Sequence, residues 1–62
     1  MSEYWYTLKL KDGGALLAYG PFTNEQCKRE REKAKHPDFH VSTPFLASSE
    51  KEALERALLF MP

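Results

Sequence analysis

The side chains that could do chemistry are gathered in one part of the sequence. Cys27, His36, Asp38 and His40 are residue types that bind metal ions, and the two histidines have H-x3-H spacing. On a helix this spacing aligns two imidazoles, but Pro37 lies between them and interrupts a helix. We therefore expect a surface turn entering a strand, with no metal site and no other cofactor.

Cys27 could also act as a nucleophile with either histidine as its base. A thiol near the N-terminus of a helix ionises more readily than an ordinary thiol. The same position calls for an apolar residue that packs against Phe22, and this explains Cys27 without catalysis. A chain of 62 residues also has little room to enclose a substrate. The sequence therefore favours a protein that is not an enzyme and has no catalytic residues.

The composition limits the class of protein. Nine basic and nine acidic residues give a formal net charge of zero, and the hydrophobic share of 42% is too high for a disordered tail. A single cysteine excludes an internal disulfide, so we expect a reducing cytoplasm. The longest uncharged stretch near the N-terminus, 13–23, is interrupted by glycine and proline, so neither a signal peptide nor a membrane span is expected.

A β-hairpin is predicted at the start of the chain. Residues 4–10 are rich in aromatic and β-favouring side chains, and a second strand runs over 15–19. With Asp12-Gly13 as the loop, Leu8 faces Leu17 and Tyr6 faces Tyr19; with Gly13-Gly14 the pairs slide and the faces stay the same. A three-residue loop would invert the second strand. The two-residue loops give one apolar face, made of Tyr4, Tyr6, Leu8, Leu10, Ala15, Leu17 and Tyr19.

Two helices follow, each with the spacing of a capping box. Thr23 and Gln26 begin the first, which should end near Lys35, and Ser49 and Glu52 begin the second, with Ser48 as the other candidate cap. The first helix has a poor apolar stripe. The second has a wide one and is expected to be the main core partner through Ala53, Leu54, Ala57, Leu58 and Met61.

Between the helices, residues 39–43 are expected to form a third strand. Pro44 ends this strand or places it at a sheet edge, and 45–47 continue extended. We therefore predict a single α+β domain over residues 1–62, in the order β-β-α-β-α. Its architecture is a three-stranded antiparallel sheet with both helices on one face.

The alternation along the first strand sends Trp5 to the face without helices. With Leu16 and Phe22 it would form an exposed apolar patch, which on a small protein commonly marks a partner surface. The alternative is that Trp5 folds over Gly20, or is covered by residues 60–62, and closes a second small core. The first interpretation predicts a protein-binding surface made of Trp5, Leu16 and Phe22, with Lys9 and Lys11 at its rim.

The first helix is a second candidate surface, for nucleic acid. It has five basic and three acidic residues, a net charge of +2, and Tyr4 or Tyr19 could stack on bases. Its glutamates would repel phosphates, and the pairs Glu25–Arg29 and Lys28–Glu32 explain it as an ordinary solvated helix. The candidate residues are Lys28, Arg29, Arg31, Lys33 and Lys35.

The first part of the chain resembles short reading frames of bacteriophages and prophages. The resemblance rests on Trp5-Tyr6, Asp12-Gly13 and Gly20-Pro21-Phe22-Thr23 ahead of a charged helix, about a third of the chain. Small phage proteins of this type often bind and block a host machine, such as a defence nuclease complex or RNA polymerase. The resemblance thus implies an inhibitor that binds a host protein. The alternatives are the nucleic-acid binder and a homodimer formed through an exposed strand edge or the Trp5 face.

Overall fold

The computed structural model describes residues 2–59, and its sheet is built around the first strand. Strand β1 (Glu3–Leu10) pairs with β2 (Leu17–Phe22) on one side, and with β3 (Phe39–Val41) and β4 (Phe45–Ala47) on the other. All three pairings are antiparallel. Helix α1 (Asn24–Ala34) connects β2 to β3, and α2 (Glu50–Ala57) follows β4. The predicted α+β class is confirmed.

The hairpin has the predicted register. Tyr6 pairs with Tyr19 and Leu8 with Leu17, the register expected for a loop at Asp12-Gly13. The predicted tight loop and second strand over 15–19 are not found, because β1 ends at Leu10 and β2 begins at Leu17. The N–H of Gly13 donates to the carbonyl of Leu10 at 3.2 Å. Gly13 and Gly14 have φ angles of 111° and 117°, a region that residues with a Cβ rarely adopt. These two glycines therefore allow the turn that sets the register.

A bulge in β2 changes the direction of Phe22. Between the pairs Tyr4–Phe22 and Tyr6–Tyr19, β1 has one residue and β2 has two, Gly20 and Pro21, which are joined by a cis peptide bond. The extra residue places Phe22 on the face of Tyr6, where the two rings stack with centroids 6.1 Å apart. The prediction that Phe22 lies beside Trp5 is therefore wrong.

The predicted third strand, 39–43, ends at Val41 as β3, and the extended residues 45–47 form a separate strand, β4, so the sheet of the described residues has four strands. Two residues of β1 lie opposite 42–44, because Leu8 pairs with Val41 and Trp5 with Phe45. At this bulge the N–H of Ser42 donates to the carbonyl of Thr7 at 2.9 Å, and its Oγ accepts from the N–H of Thr7 at 2.8 Å. The Ser42 side chain thus replaces a ladder acceptor where Pro44 interrupts the strand.

Both helices begin at the predicted caps. Thr23 Oγ1 accepts from the N–H of Gln26 at 3.2 Å, and Ser49 Oγ accepts from the N–H of Glu52 at 3.2 Å. Glu52 reaches back to accept from the backbone N–H of Ser48 at 3.3 Å and from its hydroxyl at 2.7 Å. These bonds satisfy N–H groups that the first turn of a helix leaves unpaired.

The two helices lie on opposite faces of the sheet. Trp5 packs with Ala53 of α2, whereas the phenol of Tyr6 interacts with Cys27 and Glu30 of α1. Successive residues of a strand point to opposite faces, so the prediction of both helices on one face is wrong. Each helix has only a narrow buried seam, Cys27 in α1 and Ala53 with Ala57 in α2. Neither seam could cover a whole face of the sheet.

The core of the described residues is made of small and aromatic side chains. Every leucine, valine and phenylalanine in residues 2–59 is at least partly exposed. Leu58 and Leu59 are 73% and 87% exposed, so the predicted core stripe of α2 ends at Ala57, and Met61 lies outside the described residues. The buried apolar residues are Trp5, Tyr6, Cys27, Ala47, Ala53 and Ala57.

Candidate functional site

Trp5 is a core residue and not part of an exposed patch. Its side chain is 6% exposed and packs with Ala47 and Ala53. The indole N–H donates to the carbonyl of Ala47 at 3.0 Å, which satisfies its polar group inside the core. The ring also lies against Gly20, where an added Cβ would be 2.5 Å from Cδ2. The alternative that Trp5 folds over Gly20 is therefore confirmed, and its predicted exposure is wrong.

The other residues predicted around Trp5 do not form one surface with it. Leu16 precedes β2 and is half-buried, and Phe22 is half-buried on the opposite face of the sheet. Lys9 is half-buried, and Lys11 is exposed at the hairpin turn, where its N–H donates to the carbonyl of Asp38 at 2.9 Å. The bulge at 20–21 and helix α2 together remove the predicted patch.

An apolar groove instead lies on the face that was predicted to be covered by helices. It encloses about 480 Å³. Leu10, Leu17 and Tyr19 in its wall are 42%, 46% and 40% exposed. Among the described residues that line it, none is charged, and the Tyr19 hydroxyl is the only polar side-chain group. The residues that line the apolar groove are Leu8, Leu10, Ala15, Leu17, Tyr19 and Phe39.

The groove is open because α1 covers only part of this face. Cys27 is the one fully buried residue of α1. Farther along the helix, Arg31 extends toward the opposite edge of the sheet, where its Nε donates to the carbonyl of Ser42 at 2.7 Å. The helix is thereby held over Tyr6 and the bulge at 42–44. The leucines at the hairpin end of the sheet are left without a cover.

A group of stacked aromatic rings includes Tyr19 of the groove lining. The Tyr6 ring stacks on Tyr19 with ring centroids 5.3 Å apart, and Phe22 also stacks on Tyr6. Burial raises the pKa of the Tyr6 hydroxyl, and Tyr19 and Glu30 raise it further. This phenol therefore stays uncharged at neutral pH. The arrangement can take up apolar side chains.

Three of the five basic residues of α1 and its C-cap form ion pairs with glutamates of the same helix. Lys33 pairs with Glu30 at 3.5 Å, Lys35 pairs with Glu32 at 2.9 Å, and Arg31 contacts both Glu32 and Ser42. Lys28 and Arg29 are exposed. The glutamates thus pair with Lys33 and Lys35 rather than with Lys28 and Arg29 as predicted, and α1 resembles a solvated helix more than a phosphate-binding face.

Of the residues with metal-binding or nucleophilic side chains, His36 and Asp38 lie together, with His36 Nδ1 3.6 Å from Asp38 Oδ2, whereas Cys27 is buried in α1 and His40 lies in β3. Burial raises the pKa of the Cys27 thiol, with Arg31 opposing the shift, whereas an activated thiol has a lowered pKa. His36 accepts the N–H of Asp38 at 3.1 Å through Nδ1, and its ring contacts Phe39. Among residues 2–59, no three His, Cys, Asp or Glu side chains converge on a metal position.

The sequence contains a signal for the groove. All of its lining residues except Phe39 belong to the predicted apolar face of the hairpin, and the first helix has a poor apolar stripe. A helix with so narrow a seam cannot cover an apolar face that extends over both strands of the hairpin. Together, the two observations indicate an apolar face that is only partly covered.

Comparison of the chain with protein-family models, with curated protein sequences and with solved structures finds no match. Among residues 2–59, neither helix is long and apolar enough to cross a bilayer.

Proposed function

We propose that this protein is a non-enzymatic binding module that docks another protein chain in the apolar groove. The observation that carries the proposal is the exposure of Leu10, Leu17 and Tyr19 side by side on a sheet face. Large apolar side chains that are grouped on the surface of a small protein favour association, because burying them removes apolar area from water.

The mechanism that fits this surface is occlusion. An apolar segment of the partner fills the groove, and the body of this protein then covers the surrounding surface of the partner. Lys11 and Asp12 at the hairpin turn lie beside the groove and would contribute selectivity through their charges. The resemblance to small phage proteins extends the proposal to a phage-encoded inhibitor that blocks a host protein complex in the cytoplasm.

Capture with matched variants tests the proposal. Leu17→Lys places a charge in the groove, and Leu46→Lys is the control, because both leucines are 46% exposed and Leu46 lies outside the groove. A protein that is retained by the original chain and by Leu46→Lys, but lost with Leu17→Lys, supports the proposal once its binding is repeated with the purified protein. Equal retention by all three chains would overturn it.

A further inference from the structure

We propose that the chain occupying the apolar groove is a second copy of this protein, paired along β2. This inference rests on the proposed function and names its partner. Strand β2 pairs with β1 on one side, and no other described strand pairs with its outer side. The segment Leu17–Phe22 contains no charged residue, although exposed edge strands are usually protected from association by charges.

The open edge and the apolar groove belong to the same strand. Leu17 and Tyr19 are residues of β2 and also line the groove. An extended chain that pairs with this edge would continue the sheet and set its own alternate side chains beside Leu17 and Tyr19 in the wall of the groove. A strand therefore accounts for the backbone edge and the exposed side chains together, which a helix lying in the groove would not.

The sequence of β2 is suited to pairing with itself. In an antiparallel pair centred on Ala18, Leu17 of each copy faces Tyr19 of the other, so large apolar residues meet on the same face of the joined sheet. In such a two-fold arrangement, both copies use the same surface for the contact. No like charges meet along this edge, and the zero net charge of the chain removes general repulsion between copies.

The thin core also favours a second copy over a different protein. Every leucine, valine and phenylalanine in residues 2–59 keeps some exposure, and a domain of this size gains little stability from its own core. A second copy buries Leu17 and Tyr19 whenever the chain is sufficiently concentrated, so folding and association stabilise one another.

The length of the pairable edge limits the strength of the dimer. Pro21 has no N–H, and the bulge at 20–21 ends regular pairing after Tyr19. The opposite edge of the sheet is broken by the bulge at 42–44. We therefore expect a small interface along residues 17–19 and a dimer that dissociates on dilution.

Sedimentation velocity across a dilution series tests the inference. The original chain and Leu46→Lys are expected to shift together from dimer to monomer as they are diluted. Leu17→Lys places two lysines diagonally across the paired strands, about 7–8 Å apart, and is expected to weaken dimerisation roughly 100-fold. Tyr19→Lys should do the same, and it replaces Leu17→Lys if that variant fails to fold by circular dichroism.

A monomer at every concentration, or equal weakening by Leu17→Lys and Leu46→Lys, would overturn the inference. These results are distinguishable from a failure of the proposed function. A monomeric chain that still captures a different protein through Leu17 keeps the proposed function and loses only the second copy. A dimer that is weakened by Leu17→Lys supports both the second copy and the binding role of the groove.

Discussion

The indole ring of Trp5 lies where a side chain at position 20 would otherwise be. A Cβ at position 20 would lie 2.5 Å from Cδ2, 2.7 Å from Cε3 and 2.9 Å from Cγ of the indole. These atoms belong to the body of a buried ring that is also held by its hydrogen bond to Ala47. An added methyl group at position 20 would therefore have to displace this buried ring.

The substitution Gly20→Ala is therefore expected to lower the free energy of unfolding by about 1–3 kcal/mol, because it overpacks the core. Urea unfolding measures the change. The same substitution in a Trp5→Leu background should be much less damaging, since the smaller side chain leaves room for the methyl group. Equal losses in the two backgrounds would show that the contact is not the cause.

The fluorescence of the single tryptophan reports which face of the sheet is covered. Because Trp5 is 6% exposed, its emission in the native protein should be quenched several-fold less by acrylamide than in the urea-unfolded chain. Quenching as strong in the native protein as in urea would place the indole at the surface.

Ser42→Ala tests the bulge that divides the third strand. The Ser42 Oγ accepts the N–H of Thr7 at 2.8 Å, and both residues are buried. The substitution leaves that N–H without its acceptor and is expected to lower the free energy of unfolding by about 1–3 kcal/mol. Thr43→Ala, at the exposed neighbouring position, is the control and should change it little. Thermal unfolding measures both variants. Equal losses of stability in Ser42→Ala and Thr43→Ala would contradict this role of Ser42.

Acid should weaken the start of α2. The Ser48 hydroxyl, with smaller contributions from its backbone N–H and from Arg56, holds the pKa of Glu52 below its ordinary value of 4.5. A folded-state pKa below the unfolded value stabilises the fold above the unfolded pKa, and this stabilisation is lost as the pH falls through the folded value.

We therefore expect the urea midpoint to fall as the pH drops below about 4.5 and expect Glu52→Gln to reduce this fall. Glu32, whose pKa is lowered mainly by its hydrogen bond to Lys35, contributes with the same sign. Glu55→Gln, at an exposed position of the same helix, is the control. An unchanged acid dependence in Glu52→Gln would contradict the assignment.

Local signals in the sequence predicted the local structure well. Thr23 with Gln26 and Ser49 with Glu52 located both helix starts, because a capping box depends on side chains three residues apart. The glycines at 13–14 and the strand alternation gave the pairs Tyr6–Tyr19 and Leu8–Leu17. Each of these features depends on residues that are near neighbours in the chain or in one hairpin.

The placement of the helices and of the binding surface could not be predicted in the same way. One extra residue at Gly20-Pro21 reverses the face of Phe22, and strand composition does not reveal a bulge. The cover over Trp5 depends on Ala53, 48 positions along the chain. The sequence pattern alone therefore predicts an exposed surface around Trp5 and a covered face beside Leu17, the reverse of what the structure shows.

The central claim is that the groove lined by Leu8, Leu10, Ala15, Leu17, Tyr19 and Phe39 is the surface through which this protein associates. The most direct measurement is a set of amide spectra of the isotope-labelled chain, recorded by NMR from dilute to concentrated solution. We expect concentration-dependent shifts at these residues and along Leu17–Tyr19, with Leu46 and Leu58 unchanged. Shifts centred on Leu46 and Leu58, or no shifts at any concentration, would contradict self-association through the groove.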